Sequence, residues 1–572
     1  MVDDVMSQKG VEDFDSYISQ TGDETLKQKW EEVKKAGLEG IIKTQQAPSI
    51  NEKLKGPVVA LVTPEITRIP YELDPEQIIT TGDGGGLSEY SAALFAEMIN
   101  QGINAHLFIP GYTNIFRESA GLSQDKFDIE LNNIENGNRI HLATDGLFED
   151  ATRVYNDSNY SLPNMDIRRA IHFTKAVIQR GVPRIKNQYP DQPVLFHLND
   201  WQVALCAAGF KQPEYEKHDI KSVMTFHNIF TNEKPLYTLN KHGLNTKNYW
   251  KELFYRGRFP SGDHDKNLDI DVDFLTSGIH AADMINTVSP KFLEEVVGHY
   301  FEDIGLIPDS MRQVITRRYA EDKARGILNA PAATANPECD PLIGEEYQYG
   351  TKDIMTGKRL NKLRFQEKVG LKQDKDAKIL YWPHRIQDPQ KGAKMFIDLI
   401  PHLMNHYKDQ KLQIAIVANG EENLIDQIKE YQKHFPGQVA YADFNRETSQ
   451  IGKAAGDFLI APSLYEPCGI PHLEAGNYGI LPIVRNTGGQ AVIRNLSQDG
   501  SYGNGFKYQD FLGSGLWWGI EQAMEFAKQP YAFRKKTLQR VRRENLKEHT
   551  VENQVQAYMT QIYEPVLKRK LV

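Results

Sequence analysis

One rhythm constrains this chain more than any other feature, and it occurs twice. Short apolar, β-branched runs alternate with helix-patterned stretches, with glycine or polar turns between them. In the first half the runs are PVVALVTPE, INAHLFIPGY, QPVLFHL, KSVMTFH and DMINTVS. In the second they are AKILYWP, KLQIAIVANG, QVAYAD, GDFLIAPS and ILPIVRN. Runs this apolar are buried on both faces, which predicts parallel strands covered by helices on either side. Between the halves, NAPAATANPECDPLIGEEYQYG is rich in Ala, Pro and Gly and reads as a linker or irregular loop. The expectation is an α/β protein with two doubly wound halves. Ligands in such folds sit beyond the carboxyl ends of the strands, so two such edges could face one cleft.

The 572 residues exceed the roughly 100–200 of a usual domain, in keeping with two cores. Residues 1–55 break the rhythm. They are charged, and Leu26, Trp30 and Val33 fall at helical spacing behind Asp23 as a cap, which predicts an appended helical segment. Acids outnumber bases 76 to 67, a net charge of -9, which argues against a nucleic-acid partner. The three cysteines, Cys206, Cys339 and Cys468, are too dispersed for a zinc site or a disulfide framework. No basic and apolar leader opens the chain, and no apolar run approaches the ~20 residues of a membrane span. The expected setting is therefore the cytoplasm.

Several short motifs carry possible chemistry. GDGGG, Gly82 to Gly86, lies between a strand and a helix and is either a ligand loop or a mobile turn. It matches neither the dinucleotide fingerprint nor the P-loop. HRIQDPQKG sets Arg385 and Lys391 just past a strand, where they could hold a diphosphate or simply be solvated. SLYEPCGIPHLEAGNYG places Glu466 at the next strand's mouth and Glu474 farther along a helix-like run. An acid there can orient sugar hydroxyls and steady positive charge, or merely favour a helix N-terminus. Asp200 of LNDWQ and His227 and Asn228 of TFHN also end strands. DHDKNLDIDVD, residues 263–273, suggests a metal loop but puts Leu268 where the calcium pattern needs glycine, so a solvated acidic loop is the reading and no metal site is assigned.

The order of these pieces, with NTVSP, GILN, YEPCG and RNTGG in succession, resembles the bacterial and plant starch/glycogen synthase family, from residue 56 to about 545. The resemblance implies the GT-B architecture: an acceptor-side domain over 56–328, a nucleotide-sugar domain over 329–545, and a C-terminal helix, 546–572, crossing back onto the first. It implies metal-independent, retaining transfer of glucose from ADP- or UDP-glucose to an α-1,4-glucan, with no further cofactor. By that likeness Arg385 and Lys391 bind the donor diphosphate, Glu466 holds the donor sugar, and His227 lies near its reacting carbon. Gly85, Gly86, Asn329, Cys468 and Gly469 belong to the donor site, and Thr487, Gly488 and Gly489 meet phosphates through their amides. Asp200 and Asn228 line the acceptor side. Cys468 is a packed cleft residue and not a nucleophile.

The chain departs from the family where ligands are handled. Asp83 stands where the family's Lys-Thr-Gly-Gly motif has its lysine, and Arg385 and Lys391 are one residue farther apart. Gln202 replaces a histidine, Thr276 a lysine, and Ala330-Pro331 follows GILN. Glu474 gives the E-x7-E spacing of other GT-B families. Two further readings therefore stand beside the first: a GT-B enzyme with another donor or acceptor, and a catalytically weak relative that binds glucan or a protein. Oligomeric state is not encoded in any of these motifs.

Overall fold

Every apolar run named above forms a strand. The structure, a computed structural model, describes residues 56–571 apart from 83–85, 156–164, 257–259 and 261. The helical segment expected before residue 56 lies outside the described residues. In the first half the strands are β1 (Val58–Val62), β2 (Asn104–Pro110), β3 (Ile140–Ala143), β4 (Val194–Asn199), β5 (Ile220–Phe226), β6 (Glu233–Pro235), β7 (Asp271–Asp273), β8 (Met284–Thr287) and β9 (Ala324–Gly326). The second half contributes β10 (Lys378–Trp382), β11 (Leu412–Val417), β12 (Val439–Ala442), β13 (Phe458–Ala461), β14 (Leu481–Arg485) and β15 (Phe506–Tyr508).

The first sheet runs β3-β2-β1-β4-β5-β8-β9 and the second β12-β11-β10-β13-β14-β15, with every pairing parallel. A separate antiparallel pair, β6 and β7, decorates the first. All five residues of β1 are buried, as expected of a central strand covered on both faces. Each sheet reverses its winding once, at β1/β4 and at β10/β13. These are the two places where an open α/β sheet parts its loops and leaves a crevice.

The helices that bear on the site are α1 (Gly86–Asn100), α2 (Phe274–Ala281), α3 (Pro290–Val297), α4 (Ile354–Val369), α5 (Ala393–His406), α6 (Arg446–Ala455), α7 (Ile470–Tyr478), α8 (Tyr531–Glu548) and α9 (Val551–Tyr558). Between β9 and α4 the chain is irregular, with two 3-10 turns, yet it is anchored. Tyr349 is buried and donates to the carbonyls of Ala454 and Tyr478.

The C-terminus returns to the first core. Asn545 at the end of α8 donates to Leu473 O of α7 at 2.8 Å. After Thr550, which caps α9, Tyr558, Ile562 and Tyr563 bury themselves with the first sheet. Their polar tips are satisfied there: Tyr558 OH meets Tyr90 OH at 2.8 Å and accepts from Asn286 Nδ2 at 2.9 Å, and Tyr563 OH meets His197 Nδ1 at 2.8 Å. The fold is thus GT-B with a C-terminal segment crossing back, as the resemblance implies.

Two acids of residues 263–273 serve as helix and turn caps. Asp263 caps a 3-10 turn through Lys266 N, and Asp273 caps α2 through Thr276 N while accepting from Thr231 Oγ1 at 2.7 Å.

Candidate active site

The two switch points supply the loops of one cleft. After β1 come Thr63 and Glu65, and the same loop ends at Gly86, where α1 begins; Gly85 lies outside the described residues. After β4 comes Asp200, whose φ of 62° is the left-handed backbone that a non-glycine residue adopts only under constraint. The constraint is visible: Asp200 Oδ1 accepts from His227 N at 2.6 Å, tying the end of β4 to that of β5.

His227 is held on both ring nitrogens, Nε2 by Asn199 Oδ1 at 3.1 Å and Nδ1 by Asn329 Nδ2 at 3.4 Å. Its ring stands edge-on to Tyr90, with centroids 4.4 Å apart. This surround pushes its pKa down to about 3, so the imidazole is neutral, with the Nε2 proton directed at Asn199. Desolvation acts oppositely on acids: it raises Asp200 to about 7, and Glu65 also to about 7 with help from the Asp200 charge. Asn228 turns its Oδ1 to Ile229 N at 2.8 Å.

The second switch point supplies the charge. Lys391 Nζ donates to Glu466 Oε2 at 2.5 Å, with the two side chains 16% and 6% exposed. Ser463 Oγ supports the same oxygen at 3.1 Å. Gly392, at φ 65°, opens α5 directly after Lys391, and a methyl on it would meet Pro462 O at 2.4 Å. Arg385 is exposed and makes no ion pair among the described residues. The structure therefore brings Lys391 to Glu466 and leaves Arg385 at the rim. Cys468 is buried, and desolvation pushes its thiol up to about 12, the state of a packing residue. Gly469, at φ 80°, starts α7.

The phosphate contacts implied for Thr487, Gly488 and Gly489 would have to replace hydrogen bonds made within the protein. Their amides are taken: Thr487 N by Arg485 O, Gly488 N by Glu295 Oε2 at 3.0 Å, and Gly489 N by Glu466 O at 2.9 Å. The glycines are there for packing, since a methyl on Gly488 would sit 1.8 Å from Glu466 O and one on Gly489 2.0 Å from Cys468 O. The NTGG loop is a wedge that fixes the EPCG loop.

Residues not singled out in the sequence complete the arrangement. Glu295 of α3 reaches across the cleft and also accepts from Thr487 Oγ1 at 3.1 Å; Ser289, which caps α3, donates to Pro467 O at 2.6 Å. On the other flank Arg446 of α6 lies 3.4 Å from Glu89 of α1. A methyl on Gly86 would come within 3.8 Å of Ile470, so the N-termini of α1 and α7 nearly meet. Two helix N-termini and Lys391 thus supply positive potential to the cleft mouth. Glu474 is buried and paired with Lys453. Gln202 donates weakly to Tyr155 OH at 3.4 Å, and Thr276 is fully buried in α2.

Comparison with known proteins bears on this geometry. The model of the starch synthase catalytic domain matches residues 78–309, and that of glycosyl transferases group 1 matches residues 364–525. Glycogen synthase of Bacillus subtilis is 30% identical over 371 residues, 63% of this chain and 70% of that protein. The chain belongs to the starch/glycogen synthase family of glycosyltransferases. Glycogen synthase of Geobacillus thermodenitrificans is 27% identical over 465 residues, 78% of this chain and 88% of the relative. In fold this family member is similar to the catalytic domain of starch synthase IV from Arabidopsis thaliana bound to ADP and acarbose. That likeness has a TM-score of 0.66 at 18% identity and covers 90% of this chain and all of the other. No helix among the described residues is long and apolar enough to cross a membrane.

Proposed function

We propose that this protein transfers glucose, with retention, from ADP- or UDP-glucose to the non-reducing end of an α-1,4-glucan, in the cytoplasm. The observation that carries the reading is the Lys391–Glu466 pair at the mouth where the N-termini of α1 and α7 converge. A departing diphosphate needs fixed positive charge more than it needs a strong base. Lys391 would move from Glu466 to the diphosphate as the sugar–phosphate bond breaks, with Arg385 closing from the rim and the helix ends standing in for the absent lysine. Glu466 would hold the sugar hydroxyls and the developing positive charge. Neutral His227 would contact the sugar beside its reacting carbon, and Asp200 and Asn228 would meet the acceptor.

The test is initial-rate transfer to glycogen from each nucleotide sugar. Glu466→Gln and Glu466→Ala are each expected to lose roughly 10²–10³-fold in kcat/KM, the scale of one preorganised charge contact. The isosteric Gln variant should keep its melting temperature. Turnover like wild type in either variant would end the assignment.

A further inference from the structure

At the amino-terminal edge of the second sheet, on the side away from the cleft, lies a cavity of about 50 Å³ that the transfer reaction does not use. A single water needs roughly 10–15 Å³, so the space suits a few waters or one phosphate-sized group. Its walls carry Lys358, Arg359 and Lys362 of α4, Lys375, Lys378 at the start of β10, and Arg534 of α8. Only two carboxylates, Asp376 and Asp457, stand among them. This concentration of positive charge sits in a chain whose net charge is -9.

The acids are already engaged. Asp457 pairs with Lys362 at 2.6 Å, and Asp376 lies 3.5 Å from Arg359. The remaining cations hold backbone oxygens where they hold anything. Lys358 donates to Ala454 O and Tyr478 O, Lys378 to Asp376 O, and Arg534 to Gln529 O. Lys358 is buried, and desolvation draws its pKa down to about 7, as expected of an ammonium short of a counter-charge. Lys378 is lowered too, again by desolvation first.

We propose that this cavity binds a small anion bearing a phosphate group. Two guanidinium forks and several ammonium groups around one compact space offer more donors and more positive charge than a single carboxylate can use, and a phosphate dianion with its tetrahedron of oxygens can engage several at once. The organic part of a phosphomonoester would project through the open side, past the exposed Lys375. The site lies at the far end of the helix that starts at Glu466's loop, since Lys358 grips the carbonyl that closes α7.

Isothermal titration of the full chain tests this with inorganic phosphate and with glycerol 3-phosphate. Binding is expected for at least one probe, weakened at least about tenfold in K375E/R534E and unchanged in K391A. Tighter binding of glycerol 3-phosphate would assign an organic phosphomonoester; equal or weaker binding would assign free phosphate. If the double variant fails to fold, Lys375→Glu alone, at an exposed position, gives the same readout. No binding of either probe at millimolar concentration, unaltered binding in the charge-reversed protein, or loss of binding in K391A would overturn the proposal.

Discussion

At Asp200 a constrained backbone and a desolvated carboxyl occupy one residue, and the combination has a measurable cost. The folded carboxyl titrates near 7, whereas an unfolded aspartate titrates near 3.8. Between those values the folded state holds more protons than the unfolded one, so its stability falls as pH rises through that window, and the loss is complete above it. Glu65 adds to the same trend. Asp200→Asn removes the penalty while keeping an acceptor for His227 N. Relative to wild type it should therefore gain about 2–4 kcal/mol between about pH 5 and pH 8. Urea midpoints at the two pH values decide it, and a pH-independent difference would contradict the account. Asp200 and His227 were legible in the sequence because each directly follows an apolar run, and Lys391 and Glu466 because the loops that carry them follow one, where a parallel sheet delivers side chains to its carboxyl edge. Glu295 was not: it sits mid-helix beside Glu294, and only tertiary packing decides that one is buried and the other exposed.

Among the elements, the loop after β14 is more demanding than its amides suggest. Gly488 has φ 44° and no room for a side chain against Glu466 O. Gly488→Ala should push the EPCG loop out of place, costing about 1–3 kcal/mol and most of the transfer rate, read by melting and by glycogen labelling together. Glu295→Ala tests the other side of the wedge. It leaves Gly488 N–H and the Thr487 hydroxyl without their buried acceptor, which costs about 1–3 kcal/mol, and Glu295→Gln should restore part of it. Two glycines in RNTGG were visible in the sequence as a family signature, but the signature does not say whether glycine serves a ligand or a neighbouring loop. The distances here favour the neighbour. Strands β3, β6, β7, β9 and β15 were missed for a related reason: at three or four residues, with sequences such as ARG and FKY, they are strands by pairing and not by pattern.

For the whole molecule, the return of the C-terminus is the feature on which the first core depends. Tyr558→Phe removes the hydroxyl shared by Tyr90 and Asn286 and should cost about 1–3 kcal/mol by leaving those groups short of a partner. Ending the chain after Glu548 removes Tyr558, Ile562 and Tyr563 together and should leave no soluble folded protein, checked by expression and circular dichroism. The two-sheet plan was legible from the repeated rhythm of the sequence, because central parallel strands must be apolar throughout. The return was implied only by likeness, since α9 is a short helix with an ordinary pattern. The chain passes between the halves twice, after Gly326 and again at Glu548–Thr550, and residues on both crossings line one pocket. Ala330 N and Gln554 Oε1 join them at 3.0 Å. Two strings tied at the same corner of a box act as a single pivot. If the halves were to swing apart about that pivot, Ser289–Pro467 and Glu295–Gly488 at α3 and Arg446–Glu89 at α1 would have to break together. Fluorophores placed across those contacts should report two discrete distances and no continuum between them.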